Sequence, residues 1–318
     1  MDTLLTFLFE RDVPFEENVS LTRKTWIKTG GVCNLWIAPT SVNQLKEVCR
    51  YLFANNIFFD LVGQTSNMFF HSTYNPKVVI STVKVREYKI EGDIIICDCG
   101  LGVIKLAVEC MAAGYSGFYG LLGLPGTVAS AAVNNSGCFN CSISSMLISA
   151  DVLMPDGTVE TISKEGFRYS HRSSAFKRGE LKGIILSLRL HIEKSEDIVE
   201  ESRKAVAAKC FRKRTQEGYK GNLGSVFGAK KQRRNVRNLI AMIIVKFLVF
   251  LHIANQRRIR KHMLLWLYGY SNLDNYISDK NLNIFVWRDT NAEQMFERYK
   301  RFMSKVHKDL VIEIEERK

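Results

Sequence analysis

Between Gly114 and Gly137 the chain reads Gly-Tyr-Ser-Gly-Phe-Tyr-Gly-Leu-Leu-Gly-Leu-Pro-Gly-Thr-Val-Ala-Ser-Ala-Ala-Val-Asn-Asn-Ser-Gly, with Gly117, Gly120, Gly123 and Gly126 recurring at every third residue. A Rossmann dinucleotide fingerprint needs its first two glycines two apart, so this spacing disfavours it. From 123 to 137 the small residues leave the main chain bare. A flat or diphosphate ligand can then approach the backbone closely, or a helix can pack tightly on a sheet. Composition alone weighs these two readings evenly.

The flanking sequence reads as an α+β fold. Trp26 to Pro39 alternates, Val42 to Asn55 has helical periodicity through Leu45, Val48, Cys49 and Leu52, and apolar runs follow at Phe58 to Val62 and Val78 to Ile80. Between those runs lies Gly63-Gln64-Thr65-Ser66-Asn67, small and amide residues after a strand, where successive N–H groups can form an anion-binding nest. A strand (Ile94 to Cys97) and a helix (Leu101 to Ala113) precede the glycine-rich stretch. After it come Ile148 to Leu153, a hairpin turn at Pro155-Asp-Gly-Thr158, and strands ending with Gly183 to Ile192.

A chain of 318 residues, 46% hydrophobic and 24% charged with 5 prolines, is globular rather than disordered or collagenous. Its start, MDTLLTFLFERD, has no basic residue before a short apolar run and no small-residue cleavage site, so a cytoplasmic protein without a signal peptide is expected. The 8 cysteines are too scattered for a disulfide framework and read mostly as small buried hydrophobes. Cys138-Phe-Asn-Cys141 has redox-motif spacing but neither a second pair nor nearby histidines, so no metal is expected.

Ordered motifs run along the chain: Asn18-Val-Ser-Leu21, Thr25-Trp-Ile-Lys-Thr-Gly-Gly31, the Gly63 to Asn67 turn, Gly123-Leu-Pro-Gly-Thr-Val128 with Asn135-Ser-Gly137, and His171-Arg-Ser-Ser-Ala-Phe-Lys177. Further on are Arg212-Lys-Arg-Thr-Gln216, Gly221-Asn-Leu-Gly-Ser-Val-Phe227, Lys280-Asn-Leu-Asn-Ile-Phe285 and Ile312-Glu-Ile-Glu-Glu-Arg317. Together they resemble the motifs of the UDP-N-acetylenolpyruvoylglucosamine reductase (MurB) family, flavoenzymes of peptidoglycan precursor synthesis in cell wall biogenesis. The resemblance covers nearly the whole chain and is weak only from Gly228 to about Asp279.

The resemblance implies a two-lobed FAD-binding domain of the PCMH/vanillyl-alcohol-oxidase type over 1–195, with lobes at about 1–82 and 83–195. A smaller α+β substrate domain over 196–318 follows, interrupted by a divergent segment at 229–270. Gly63, Gln64, Thr65, Ser66, Asn67, Gly123, Pro125, Gly126, Thr127, Ser130, Asn135 and Gly137 would hold FAD, and NADPH or NADH would reduce it. The implied reaction converts UDP-N-acetylglucosamine enolpyruvate to UDP-N-acetylmuramate. Arg172 would grip the substrate carboxylate, Ser225 would deliver a proton to the enolate, and Glu315 would assist beside the same centre. Residue chemistry alone selects none of the three. Arg172 reads as a solvated loop residue, Ser225 as a strand start, and Glu315 as part of a fraying terminus.

The chain departs from the family pattern at several places. Thr65 and Ala129-Ser130 replace glycines, His171 replaces a tyrosine, Gly228-Ala-Lys230 replaces a Lys followed by Pro, and Asn281-Leu-Asn-Ile-Phe285 replaces His-Ala-Asn-Phe. These changes keep two alternatives open: a flavin oxidoreductase acting on another sugar nucleotide or glycan precursor at the membrane surface, and a flavin-binding protein that has lost catalysis.

The net charge of +13 is concentrated rather than spread. Between Ala229 and His262 lie ten Lys or Arg and no acid, leaving the rest nearly neutral. Leu239 to Ala254 is apolar apart from Lys246 and His252, and at about 1.5 Å per residue it is too short for the roughly 30 Å hydrocarbon core. Residues 230–268 therefore read evenly as a core helix with solvated charges or as contact with an anionic inner membrane face. Nucleic acid is not expected, because aromatic residues are not interleaved with the basic ones.

Overall fold

The computed structural model describes residues 2–218, 221–228, 231–250 and 256–318; of the side chains of Asp2 and Val249 nothing is stated. The chain forms two units. The first comprises Met1–Arg23, Gly31–Thr65 and Tyr74–Cys210, the second Lys24–Gly30, Ser66–Thr73 and Phe211–Lys318. Where the sequence reading places the boundary at 195, the units divide after Cys210, inside the Ile198–Thr215 helix, and two short N-terminal segments group with the second unit. Their recruitment is long-range: Ile27 and Phe69 bury into the second unit's core, which local sequence pattern cannot report.

In the first unit, Val32–Ile37 buries Cys33, Leu35, Trp36 and Ile37 and forms one sheet with Phe15–Ser20, Val78–Ser81 and Asp60–Val62. Phe15–Ser20 pairs antiparallel; the other two are parallel, as expected for strands linked through a helix. That helix, Val42–Ala54, is capped by Ser41, whose hydroxyl accepts from Gln44 N, and buries Leu45, Val48, Cys49 and Leu52. The Asp2–Glu10 helix adds Leu4 and Leu8 to the same core.

A second sheet, ordered Val159–Ser163, Leu147–Leu153, Ile184–His191, Ile94–Asp98 and Tyr88–Glu91, is antiparallel throughout. Its hairpin closes at Pro155–Thr158, where Asp156 Oδ1 accepts from the N–H of Thr158 and Gly157 takes φ +85°. Val103–Ala112 and Val128–Asn134 pack on this sheet through Leu106, Ala107, Cys110, Val128, Ala131 and Ala132.

The second unit is built around the Ala292–Val306 helix, whose Phe296, Tyr299, Phe302 and Met303 are fully buried among Phe285, Trp287, Leu264 and Leu265. Its short strand pairs among the described residues are Asn222–Ser225 with Ile284–Val286, Lys231–Gln232 with His307–Lys308, and Met68–Phe70 with Glu315–Arg317. No helix of the described residues is long and apolar enough to cross a membrane.

Candidate active site

In the first unit the two expected cofactor loops are tied to one another. Gln64 Oε1 accepts from Gly126 N at 2.9 Å, and a Cβ added to Gly63 would come within 2.9 Å of Thr127 Oγ1. The Gln64 side chain therefore spans the loops. A third segment joins them, because Gly126 O accepts from Val103 N and Val128 N donates to Leu101 O.

Thr65 is buried and sits at φ +55°, a left-handed conformation that a β-branched residue rarely adopts. That backbone geometry gives a physical reason for glycine at this position. Gly123 and Gly126, at φ +76° and +120°, do occupy such positions without a side chain, and Pro125 lies between them.

Thr127 opens the Val128–Asn134 helix with a capping box: its hydroxyl accepts from Ser130 N, while Ser130 Oγ accepts from Thr127 N at 3.0 Å and donates to Thr127 O at 2.8 Å. The one hydroxyl proton of Ser130 is thereby committed inside the cap. A phosphate, which only accepts, gains no side-chain donor there.

The helix ends on Asn135 at φ +46°, and this turn receives the arginine loop. Asn135 Nδ2 donates to Ser170 O at 2.8 Å, and Ser174 Oγ donates to Val133 O at 2.6 Å. Ser170 and Ser173 exchange both backbone hydrogen bonds, closing a tight turn over His171 and Arg172. Arg172 is half-buried at φ +54°, with Nη2 donating to Gly137 O at 2.7 Å.

Ser225 and Glu315 belong to the second unit, as do Ser66 and Asn67. Ser225 ends its strand after Gly224, which takes φ +72° in a register shift; Asn222 Oδ1 holds the Gly224 N–H. Its hydroxyl makes no hydrogen bond among the described residues. The chain beyond it is clamped on both sides. Val226 O accepts from Glu313 N, and the buried Asn283 accepts from Phe227 N at 3.0 Å while donating to Phe227 O at 2.7 Å.

Two residues past Glu313, Glu315 N donates to Asn67 O, and Asn67 Nδ2 donates to Glu313 O at 3.0 Å. Residues 313 to 315 thus join the Ser225 strand to the Asn67 turn. Glu315 is an ordered, half-buried strand residue rather than part of a frayed tail, with Arg317 3.6 Å from its carboxylate.

Beside this strand, His71 Nδ1 lies 2.8 Å from Glu293 and its Nε2 3.3 Å from Glu316. His71, Glu297 and Glu316 have ligand atoms close enough to share a cation. Lys300 Nζ already ion-pairs with both carboxylates, 2.7 Å from Glu297 and 2.9 Å from Glu316. The cluster reads as an ion network.

Among the described residues of the first unit, three buried side-chain atoms have no hydrogen-bond partner: Asn134 Oδ1, Asn135 Oδ1 and Tyr169 OH. Burial pushes the Tyr169 phenol well above its usual range, so it stays a neutral donor. Orphaned donors and acceptors beside a small-residue backbone are what a polar cofactor would satisfy, and the residues fit FAD. Asn134 and Tyr169 were not expected from sequence. The Asn134-Asn135 doublet was the available signal for the first; Tyr169 had none.

Residues 34–163 match the family model described as "FAD binding domain". A UDP-N-acetylenolpyruvoylglucosamine reductase 2 of Bacillus cereus is 28% identical over 225 residues, 70% of this chain and 72% of the relative. The reductase of Nostoc sp. is 34% identical over 157 residues, 48% of this chain and 47% of the relative. Among solved structures, the UDP-N-acetylenolpyruvylglucosamine reductase of Thermus caldophilus superposes with a TM-score of 0.68 at 21% identity, covering 96% of this chain and 99% of that one.

Proposed function

We propose that the chain is a member of the UDP-N-acetylenolpyruvoylglucosamine reductase family and that it reduces UDP-N-acetylglucosamine enolpyruvate to UDP-N-acetylmuramate in the cytoplasm. The observation that carries the reading is the tied pair of loops at Gly63–Thr65 and Gly123–Gly137, lined by unsatisfied buried polar atoms, inside a segment that matches an FAD binding domain. Bound FAD, reduced by NADPH, would supply hydride to the enolpyruvyl double bond.

Each residue's role follows from its chemistry. Reduction at one carbon of the enolpyruvyl group leaves negative charge on its neighbour and the carboxylate. Arg172 offers a permanently charged fork suited to that carboxylate, and one of its Nη atoms is already fixed by Gly137. Ser225 carries an uncommitted hydroxyl, a weak acid that is adequate toward an enolate within hydrogen-bond reach. Glu315 would stabilise or relay charge. On the cofactor side Gly63, Gln64, Thr65, Gly123, Pro125, Gly126, Thr127 and Gly137 would form the wall, Asn134, Asn135 and Tyr169 would offer polar atoms, and Ser66 and Asn67 would contribute from the turn's far end. Ser130 would support the wall through its cap.

The test is purification, a flavin spectrum, anaerobic bleaching by NADPH, and reoxidation by the enolpyruvyl substrate in a single turnover. Stoichiometric flavin, bleaching and reoxidation are expected. Flavin that NADPH bleaches but the substrate does not reoxidise would assign the scaffold to another sugar nucleotide. Flavin that NADPH leaves oxidised would leave a binding protein. A place at the inner membrane face is a separate part of the reading and rests on residues 230–268.

A further inference from the structure

The Val236–Phe250 helix is fastened to its unit along one side only. Ala241 and Val245 are buried, and Asn238 Nδ2 donates to Arg233 O at 2.7 Å and Val306 O at 3.0 Å while its Oδ1 accepts from Tyr268 OH. The opposite side carries Val236, Leu239, Ile240, Ile243, Phe247 and Phe250, spaced three and four apart and therefore on one stripe. These six are between 38% and 78% exposed. A contiguous apolar stripe left in water is costly and marks a contact surface.

Charge identifies what covers it. Among the described residues no carboxylate lies within ion-pairing distance of Arg233, Arg234, Arg237, Lys246 or Arg260. Lys246 lies within the helix, exposed beside Phe247. Arg233, Arg234 and Arg237 stand at the helix start, and Arg260 lies on the neighbouring Gln256–Tyr268 helix. A second copy of the chain would present the same cations and repel. An anionic lipid surface supplies both the apolar layer and the opposite charge.

We propose that the exposed stripe of the Val236–Phe250 helix inserts into the headgroup boundary of an anionic bilayer, with the surrounding arginines and Lys246 on lipid phosphates. The insertion is interfacial: the helix lies along the surface with its anchored side toward the protein. Of the membrane contact expected over 230–268, residues 230 and 251–255 lie outside the described residues.

The experiment is co-sedimentation of the full chain with vesicles of phosphatidylcholine alone or with a quarter phosphatidylglycerol, at low and high salt, with the solution mass measured in parallel. Binding is expected only to the anionic vesicles, weakened by salt. Ile243→Glu with Phe247→Glu is expected to cut partitioning about tenfold or more, and Arg234→Glu with Lys246→Glu by a similar factor, each cation adding about 1 kcal/mol near the surface. Unchanged circular dichroism and flavin content show that both variants are folded. Intact protein that stays in the supernatant overturns the proposal. So does binding that is indifferent to lipid charge or to the stripe variant, or a stable dimer that the stripe variant makes monomeric.

Discussion

Arg172 Nη2 donates to the carbonyl of Gly137 at 2.7 Å from a backbone held at φ +54°. A non-glycine residue at such an angle costs about 1–3 kcal/mol and persists only where its surroundings impose it. Here the imposition comes from the Ser170–Ser173 turn and from Asn135, which bonds Ser170 O. The guanidinium is thereby pre-aimed. Lysine at 172 keeps the charge but loses the fork, so R172K is expected to slow flavin reoxidation by the enolpyruvyl substrate about 10²-fold or more. Flavin content and bleaching by NADPH should be unaltered. Stopped-flow absorbance separates the two half-reactions, and an unchanged reoxidation rate would remove Arg172 from the reacting centre.

Ser130 offers a test of what a cradle residue does. Its hydroxyl is engaged twice with Thr127, so S130A should lower stability by about 0.5–2 kcal/mol, the usual worth of a cap. Flavin affinity should change little, because no donor is lost to the ligand. Thermal melts give the first quantity and flavin titration of the apoprotein the second. A large rise in flavin Kd without loss of stability would show that the hydroxyl serves the cofactor after all.

Much of this arrangement was legible in the chain because local signals matched the global result. Leu45, Val48, Cys49 and Leu52 gave the Val42–Ala54 helix, and the Pro155–Thr158 turn gave its hairpin. What stayed hidden depends on partners remote in sequence. Thr25 to Gly30 and Ser66 to Thr73 look like continuations of the first unit, yet Ile27 and Phe69 bury in the core of the second. Asn283 lies in a polar run with no periodicity, and only a contact 56 residues away reveals it as a clamp on Phe227. The apolar run at 239 reads alike whether buried or exposed, and it proves to be both, one side each.

The Asn283 clamp makes a strong stability prediction. Replacing it with alanine strands the N–H and C=O of Phe227 in the core, at about 1–3 kcal/mol for each unsatisfied group. N283A should therefore lower the urea midpoint substantially. N283D, which retains the acceptor and loses the donor, should also destabilise. Because Ser225 is two residues upstream, substrate turnover should fall further than flavin content in any folded fraction. Equal stability of N283A and the parent would mean that water replaces the amide.

The His71, Glu316, Lys300 network predicts how the second unit responds to acid. Burial tends to raise the Glu316 carboxyl, but hydrogen bonds and charge from Lys300, with help from His71 and Lys318, outweigh it and hold the group below its ordinary 4.5. Glu293 is likewise lowered: burial opposes, while the Ser72 N–H and His71 prevail. Groups depressed on folding stabilise the native state at pH values above the unfolded pKa, and that contribution drains away as pH falls through the folded one. Lys300 is shifted upward, burial being outweighed by Glu297 and Glu316, so its contribution persists through neutral pH and is lost only as pH rises through its folded value. Urea midpoints should therefore fall as pH drops below about 4.5. E316Q should start lower, by about 1–3 kcal/mol for the lost charged bonds, and decline less steeply across that range. If E316Q keeps the parent's full acid slope, the slope originates elsewhere and the network does not hold the Glu315–Arg317 strand in place.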